Sequence, residues 1–166
     1  MNKKILFIFL VLLILPLSSA AHYIMGFVED AKDGTSADGH SIILWNPIIG
    51  IQENISDIIG PLGNSGTNNK YTIDCELLPS GCNVTNTLSL KVINNGDNYV
   101  SQEKNVSVSV LGYDVVENIT LNSPPNTTLI YPTDFEKIPY SEVMFNCSIE
   151  DLDNNAKEIS LYGNWT

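Results

Sequence analysis

Two stretches of the sequence decide the fold: Leu88-Ser-Leu-Lys-Val-Ile93 and Asn105-Val-Ser-Val-Ser-Val110. In both, every second residue is apolar: Leu88, Leu90 and Val92 in the first, Val106, Val108 and Val110 in the second. Side chains of a β-strand point alternately to opposite faces, so each stretch predicts a strand with one apolar face. A sheet with one apolar face needs a second layer to cover it. The pattern therefore predicts two sheets packed face to face.

The rest of the chain up to residue 121 follows the same plan. Runs rich in Val, Ile, Thr and Tyr alternate with clusters of Gly, Asn, Asp and Pro, which is typical of strands joined by tight turns. No segment has a sustained helical period. We predict an all-β fold, a β-sandwich of about 100 residues. The predicted strands are 23–29, 41–46, 70–75, 88–93, 105–110 and 115–121.

The charge balance narrows the classes of partner. The 166 residues contain 8 Lys and no Arg against 19 Asp and Glu, a formal charge of −11. Nucleic acids and anionic membrane surfaces bind cationic proteins because binding releases counterions, so both are unsuitable partners for this chain. The hydrophobic content of 43%, with 8% aromatic residues, is enough to fill a core.

The first 21 residues have the pattern of a secretory signal peptide. Lys3 and Lys4 precede an apolar run at 5–17, and small residues follow at 18–21. A run of this length spans about 20 Å as a helix, which is short for a hydrocarbon layer of about 30 Å. We therefore predict a secreted or cell-surface protein, with cleavage after Ala20 or after Ala21. An uncleaved N-terminal anchor is the alternative.

The cysteines fit an oxidising compartment. Cys75 and Cys82 enclose the turn-forming insert Glu76-Leu-Leu-Pro-Ser-Gly81, and we predict a disulfide bond between them. Such a bond contributes roughly 2 to 3 kcal/mol in the chain-entropy account. Cys147 remains unpaired.

Seven N-x-[ST] sequons support the same compartment, because this triplet is the acceptor for N-glycosylation in secreted proteins. An Asn- and Thr-rich chain also produces such triplets by chance, so glycosylation is predicted only for a host that has the transferase. The candidate acceptors are Asn54, Asn83, Asn105, Asn118, Asn126, Asn146 and Asn164.

Residues 22–122 resemble the carboxypeptidase-regulatory-like, or transthyretin-like, extracellular domains. The resemblance lies in the opening strand Ile24-Met-Gly-Phe-Val-Glu-Asp30, the turn Asp33-Gly34 and the second strand Gly39-His-Ser-Ile-Ile-Leu44, and in the closing stretch 112–121. Gly26 permits close approach and Gly39 supplies an unusual backbone angle. The resemblance implies a Greek-key transthyretin-like sandwich, with a longer insert at 47–69.

A Pro-rich linker at 123–127 precedes a second predicted module at 128–166. The stretches 128–134, 143–149 and 158–162 resemble the first three strands of immunoglobulin-like or fibronectin-like surface modules. In such modules a cysteine placed like Cys147 pairs with one on a later strand, which is absent here. Three strands cannot bury a core of their own. We therefore expect either a fragment of a longer protein or pairing with another subunit.

Sites for catalysis or metal binding are weakly supported. The two histidines, His22 and His40, stand beside no hydrolase motif, and we predict no enzyme activity, no catalytic residue and no committed metal site. If cleavage exposes His22 as the N-terminus, its amine and imidazole together with His40 are candidate copper ligands. Ca²⁺ is the better-suited ion, because the loops at 29–39 and 150–155 are rich in hard oxygen ligands. Solvated acidic turns are the simpler interpretation of both loops.

Five aromatic residues lie on or beside the predicted strands: Tyr23, Trp45, Tyr71, Tyr99 and Tyr113. Aromatic side chains at such positions ordinarily pack in the core or at a sheet edge, and stacking on sugar rings is the alternative role. The sequence as a whole indicates a noncatalytic structural or adhesive module whose partners are proteins or glycans at the cell surface. Contact with a membrane is expected only through the signal peptide or an anchor further downstream. The alternative function is a noncatalytic accessory or carbohydrate-binding domain of a secreted hydrolase.

Overall fold

The structure is a computed structural model that describes residues 21–132 and 144–154. Residues 1–20 of the predicted signal peptide, the sequon at Asn164 and the stretch 158–162 lie outside the described residues. Ten strands follow one another along the described part, and the predicted all-β class is confirmed. They are β1 (Tyr23–Glu29), β2 (Ser41–Trp45), β3 (Asn54–Ile58), β4 (Lys70–Asp74), β5 (Thr87–Val92), β6 (Lys104–Ser107), β7 (Tyr113–Val115), β8 (Ile119–Thr120), β9 (Asn126–Tyr131) and β10 (Asn146–Glu150).

The first eight strands form two four-stranded sheets. Sheet I has the order β4-β1-β7, and β8 continues along β1 beyond β7. In sheet I, β1 pairs antiparallel with β4 and parallel with β7 and β8. Sheet II is antiparallel throughout and has the order β3-β2-β5-β6. The remaining strands, β9 and β10, pair with each other in a separate ribbon.

One apolar layer lies between the two sheets, as the alternating patterns predict. Sheet I contributes Ile24 and Val28, and sheet II contributes Leu88, Leu90 and Val92, all fully buried in one cluster. Fully burying a side chain of this size stabilises the fold by about 1.5 to 3 kcal/mol.

The predicted alternation on β6 extends too far. Val106 and Val108 are buried, but Val110 is 80% exposed because β6 ends at Ser107 and the chain has already turned away from the sheet. The other predicted strands 23–29, 41–46, 70–75 and 88–93 agree with the structure to within one residue at each end.

The predicted strand 115–121 is in fact two short strands. Met25 pairs with Val115, and Val28 pairs with Ile119. Between these two pairs the chain advances by three residues along β1 but by four residues from β7 to β8. The extra residue is a bulge, which interrupts pairing and lets Val116 turn into the core.

Strand β3 was not predicted from the sequence. Its apolar residues Ile55 and Ile58 are only partly buried or exposed, and the buried side chain is Asp57, so the usual apolar pattern is inverted. The carboxylate of Asp57 accepts hydrogen bonds from the backbone N–H groups of Ile58, Asn64 and Thr72, at 2.8, 2.9 and 2.9 Å. Because Thr72 belongs to β4, Asp57 joins the edge strands of the two sheets.

Gly26 is required by the side chain that packs on it. A Cβ at this position would lie 2.5 Å from the hydroxyl oxygen of Tyr71, its cross-strand partner on β4. The close approach expected from the sequence is therefore made by an aromatic ring, which covers the glycine. Tyr71 is 1% exposed, and this burial raises the pKa of its hydroxyl.

The β9–β10 ribbon is far less buried than the sandwich. All six residues of β9 are exposed, including Leu129 and Ile130 at 44% and 50%. The start of the predicted linker is packed, since Ser123 is 4% exposed, and β9 begins within the linker at Asn126.

Replacing Asp57 by alanine is expected to lower the free energy of unfolding by about 3 kcal/mol, because three backbone N–H groups lose their carboxylate acceptor. Asp57→Asn keeps one acceptor oxygen and should lose less. Urea denaturation of both variants measures the effect, with Glu117→Ala on an exposed side chain as the control. A loss below 1 kcal/mol for Asp57→Ala contradicts the assigned role.

Backbone amides of β9 and β10 are expected to exchange hydrogen much faster than those of β2 and β5, since a two-stranded ribbon without a covered face opens readily. Hydrogen exchange of the whole chain, followed by mass spectrometry, measures this. Equal protection of the ribbon and of β5 would mean that the ribbon has a packing partner.

Candidate functional site

The loops of the sandwich gather at two poles, because the strands run between them. The upper pole consists of the loops 30–40, 59–69 and 93–103, and the lower pole consists of the loops 46–53, 75–86 and 108–112. The upper pole holds the acidic loop that the sequence singles out, and the lower pole holds the two predicted disulfide cysteines.

Asn69 organises the acidic loop of the upper pole. Its side-chain amide donates to the carbonyl of Val28 at 2.8 Å and to Asp30 at 2.6 Å, and its backbone N–H donates to Asp38 at 2.6 Å. Asp30 also accepts from the backbone N–H of Ala37, which lowers the pKa of its carboxyl. Asn69 adopts a φ of 60°, a left-handed conformation that asparagine tolerates better than most residues. These acids therefore hold the loop in shape.

Tyr99 links two loops of the upper pole. Its hydroxyl donates to Asp33 at 2.6 Å and accepts from the hydroxyl of Thr35 at 3.0 Å. The hydrogen bond from Tyr99 holds the pKa of Asp33 below its usual value, and the same contact raises the pKa of Tyr99. A hydrogen bond to a carboxylate favours its charged form and disfavours ionisation of the donor.

His40 extends this group of side chains. Its Nε2 lies 2.9 Å from a carboxylate oxygen of Asp97, at ion-pair distance but without good hydrogen-bond alignment. Its ring meets the ring of Tyr99 edge to face at 5.9 Å. The pKa of Asp97 is lowered first by the backbone N–H of Tyr99 and then by His40. The upper pole thus carries a connected network of Asp33, Thr35, His40, Asp97 and Tyr99.

The hydrogen bonds of the carboxylates in the loop 30–40 are relevant to whether this loop could bind Ca²⁺. Ca²⁺ needs six to eight oxygen ligands directed at one point. Asp30, Asp33 and Asp38 instead accept hydrogen bonds from N–H and O–H donors. Within 21–132 and 144–154, no group of three or more His, Cys, Asp or Glu side chains could hold a metal ion.

The two histidines considered for copper lie at opposite poles. His22 precedes β1 at the lower pole and its Nε2 lies 2.7 Å from Asp114, whereas His40 precedes β2 at the upper pole. Burial alone would raise the pKa of Asp114, but hydrogen bonds from Ser109 and His22 outweigh it and lower the pKa. The structure therefore does not bring His22 and His40 together.

The second acidic loop packs against the sandwich. The side chain of Asp153 is 6% exposed, accepts from the backbone N–H of Ser123 and lies 3.8 Å from the ammonium of Lys32. Lys32 also donates to the carbonyl of Leu152 at 3.0 Å. This acid thus joins the ribbon to the upper pole.

The predicted disulfide bond between Cys75 and Cys82 is present, and both cysteines are buried. It closes the loop that follows β4, where Cys75 begins a single 3-10 turn, Cys75–Leu77, instead of ending the strand. Cys147 is a free thiol on β10 and is partly buried. A disulfide bond is compatible with an extracellular protein.

Every predicted glycan acceptor within the described residues is exposed. Asn54 and Asn105 occupy one cross-strand row of sheet II, on its two edge strands, because Asn54 pairs with Trp45, Trp45 with Ser89 and Ser89 with Asn105. The remaining exposed acceptors are Asn83, Asn118, Asn126 and Asn146.

The aromatic residues do not form one surface. Tyr71 lies in the core, and Trp45 is 5% exposed with the ammonium of Lys91 5.8 Å from its ring. Tyr23 and Tyr113 pair in register on neighbouring strands of sheet I and are 41% and 51% exposed.

The structure gives important roles to Asp57, Asn69 and Asp114, which were not recognised from the sequence. Each organises backbone or side-chain donors that lie far from it in the chain, and a single sequence contains no signal for such partners.

Comparison with models of protein families finds none that matches the chain, and comparison with curated proteins finds no significant match. Among the described residues, no helix has the length and apolar character needed to cross a membrane.

Replacing Tyr99 by phenylalanine is expected to raise the pKa of Asp33 toward its ordinary value, because the carboxylate loses its strongest hydrogen-bond donor. NMR titration of the side-chain carboxyl carbons measures the shift, with Tyr113→Phe at the lower pole as the matched control. An unchanged pKa of Asp33 in Tyr99→Phe would contradict the network.

The pKa values of Asp30, Asp33, Asp97 and Asp114 are lowered in the folded state. The stabilising effect of these carboxylates is therefore present above about pH 4 and is lost as the pH falls further.

Proposed function

We propose that this protein is a secreted or cell-surface, noncatalytic module with a structural or adhesive role. The observation that carries the proposal is the way the charged side chains are used. Asp30, Asp33, Asp38 and Asp57 are bonded to donors within the fold and hold loops or sheet edges in place. A scaffold whose loops are fixed in this way is suited to presenting a surface to a partner.

The location outside the cell rests on the signal-like sequence at 1–21, the disulfide bond Cys75–Cys82 and the exposed sequons. A disulfide bond of this kind persists in oxidising compartments and is rare in the cytosol. Six exposed acceptor asparagines allow glycans to be added without unfolding the sandwich.

We also propose that residues 22–122 form a Greek-key transthyretin-like domain and that 128–166 begin an immunoglobulin-like one. The first assignment is supported by the structure of the sequence motif at 24–44 on which the resemblance is based. Gly26 accommodates the ring of Tyr71, Asp30 closes the following turn, and Gly39 has a φ of 91°. The second assignment is supported by the antiparallel pairing of β9 with β10, which carries Cys147.

A second candidate is a carbohydrate-binding accessory domain of a secreted hydrolase. One observation favours it: the exposed rings of Tyr23 and Tyr113 stand side by side on the outer face of sheet I. Adjacent exposed aromatic rings can stack on sugar rings, since each offers an apolar face and a polar edge.

Expression of the full chain in a secreting eukaryotic host tests the first proposal. We expect the protein in the medium, shortened by 20 or 21 residues, with an intact Cys75–Cys82 bond and glycans on several of the sequons. Peptide mapping under non-reducing conditions measures all three. Retention in the cell with reduced cysteines would contradict the extracellular assignment.

Glycan-array binding of the secreted protein separates the two candidates. An accessory domain should bind a polysaccharide with an affinity that falls at least about fivefold in Tyr113→Ala, because each stacked ring contributes about 1 kcal/mol or more. Tyr131→Ala, on the exposed ribbon, is the control. A structural or adhesive module should show no such tyrosine-dependent binding.

A further inference from the structure

Three separate loops place large apolar side chains in solvent at the lower pole. Ile48 is 88% exposed, Leu77 70%, Val110 80% and Leu111 70%. They belong to the loops 46–53, 75–86 and 108–112, which lie at the same end of the sandwich because the strands that they join all end there. Single exposed apolar residues are ordinary, but a group at one end of a molecule marks an interaction surface.

These side chains are held outward by structured loops. Asn46 is buried, and its side-chain and backbone oxygens accept hydrogen bonds from the N–H groups of Ile48, Ile49 and Gly50. The disulfide bond closes the loop that carries Leu77, and the hydroxyl of Ser109 accepts from the N–H of Leu111. The fold therefore holds the backbone of these loops in place while their apolar side chains stay exposed.

Charge is distributed unevenly between the two poles. All four lysines of the described residues, Lys32, Lys70, Lys91 and Lys104, lie in the upper half of the sandwich. The charged residues in the three lower loops are the carboxylates Glu53 and Glu76, which are only partly exposed. Such a surface repels anions and is best suited to an apolar partner without net charge.

The chain enters the sandwich at this same pole. Ala21 and His22 precede β1, and the N–H of Tyr23 donates to the carbonyl of Gly112 in the 108–112 loop at 3.0 Å. The apolar run 5–17 ends a few residues earlier in the sequence. The lower pole is therefore the end of the sandwich at which the chain connects to that apolar run.

We propose that the lower pole binds the surface of a lipid bilayer whose headgroups carry no net charge, and that Ile48, Leu77, Val110 and Leu111 enter its interfacial region. The partner is a zwitterionic or uncharged lipid surface because the three loops of the pole offer apolar side chains and two carboxylates, without a lysine. The proposal rests on the extracellular location in the proposed function but not on an adhesive role. Vesicle binding can therefore fail or succeed independently of secretion.

Flotation with vesicles tests the proposal. The full chain is secreted from a bacterial host without N-glycosylation, so that Asn54 and Asn83 beside the pole stay bare, and its processed N-terminus is verified by mass. We expect it to float with phosphatidylcholine vesicles and to float less when phosphatidylglycerol is added, with the difference shrinking at high salt. No binding to phosphatidylcholine would overturn the proposal.

The variant Ile48→Ser combined with Val110→Ser should bind at least about tenfold more weakly, since two apolar side chains no longer enter the lipid. Leu62→Ser is the matched control, because Leu62 is 81% exposed at the upper pole. All these side chains are exposed, so the variants are expected to fold, and circular dichroism checks this. Equal binding by the double variant and the control would overturn the assignment of the lower pole.

A second measurement distinguishes a lipid surface from a second copy of the chain as the partner of the lower pole. Ile48→Trp should show a blue-shifted emission and quenching by brominated phosphatidylcholine, whereas Leu62→Trp should show neither. Sedimentation velocity without vesicles covers the competing occupant, a second copy of the chain. Dimers that disappear in the Ile48→Ser, Val110→Ser variant would overturn the lipid assignment in favour of self-association.

Discussion

The whole structure depends on the dry layer between sheets I and II. Each sheet can present an apolar face only because its strands alternate in side-chain direction, and each face is stable only because the other covers it. Ile24 and Val28 from one sheet, with Leu88 and Leu90 from the other, remove enough apolar surface from water to offset the ordering of the chain. The loops at both poles take their positions from this layer.

Polar side chains then close the edges that the apolar layer leaves open. Asp57 joins the edge strands β3 and β4 by accepting from backbone donors on both, and Asn69 fixes the acidic loop from the other side. A buried carboxylate is tolerated only where several donors surround it, which is the situation of Asp57. The acidity of the chain is thus partly structural.

The class of fold and the disulfide bond could be predicted from the sequence, because both follow from local patterns. Alternation revealed β5, and the turn-forming insert between Cys75 and Cys82 indicated that they could meet. Strand β3 could not be found in this way, since its buried residue is an aspartate. The division of the last predicted strand into β7 and β8 depends on a bulge against β1, which only the paired strand reveals.

The candidate site could also be predicted only where it depends on local sequence patterns. Asp30 and Asp33 are visible in the sequence as loop acids, but their partners, Asn69 and Tyr99, lie 39 and 66 positions away. The sequence suggested solvated acidic turns, with Ca²⁺ as the alternative, and in the folded chain these acids accept from N–H and O–H donors. The exposed side chains at the lower pole could not be grouped from the sequence either, because until the loops are placed Val110 falls in a predicted strand and Ile48 in the insert 47–69.

The parallel pairing of β1 with β7 and β8 has a mechanical consequence. The chain enters β1 at the lower pole and leaves β8 at the upper pole, so a pull between Ala21 and Ser123 acts along these neighbouring strands in opposite directions. Their hydrogen bonds are then loaded in shear and must rupture together instead of opening one after another. Tension applied along the chain therefore meets the sandwich in its most resistant direction.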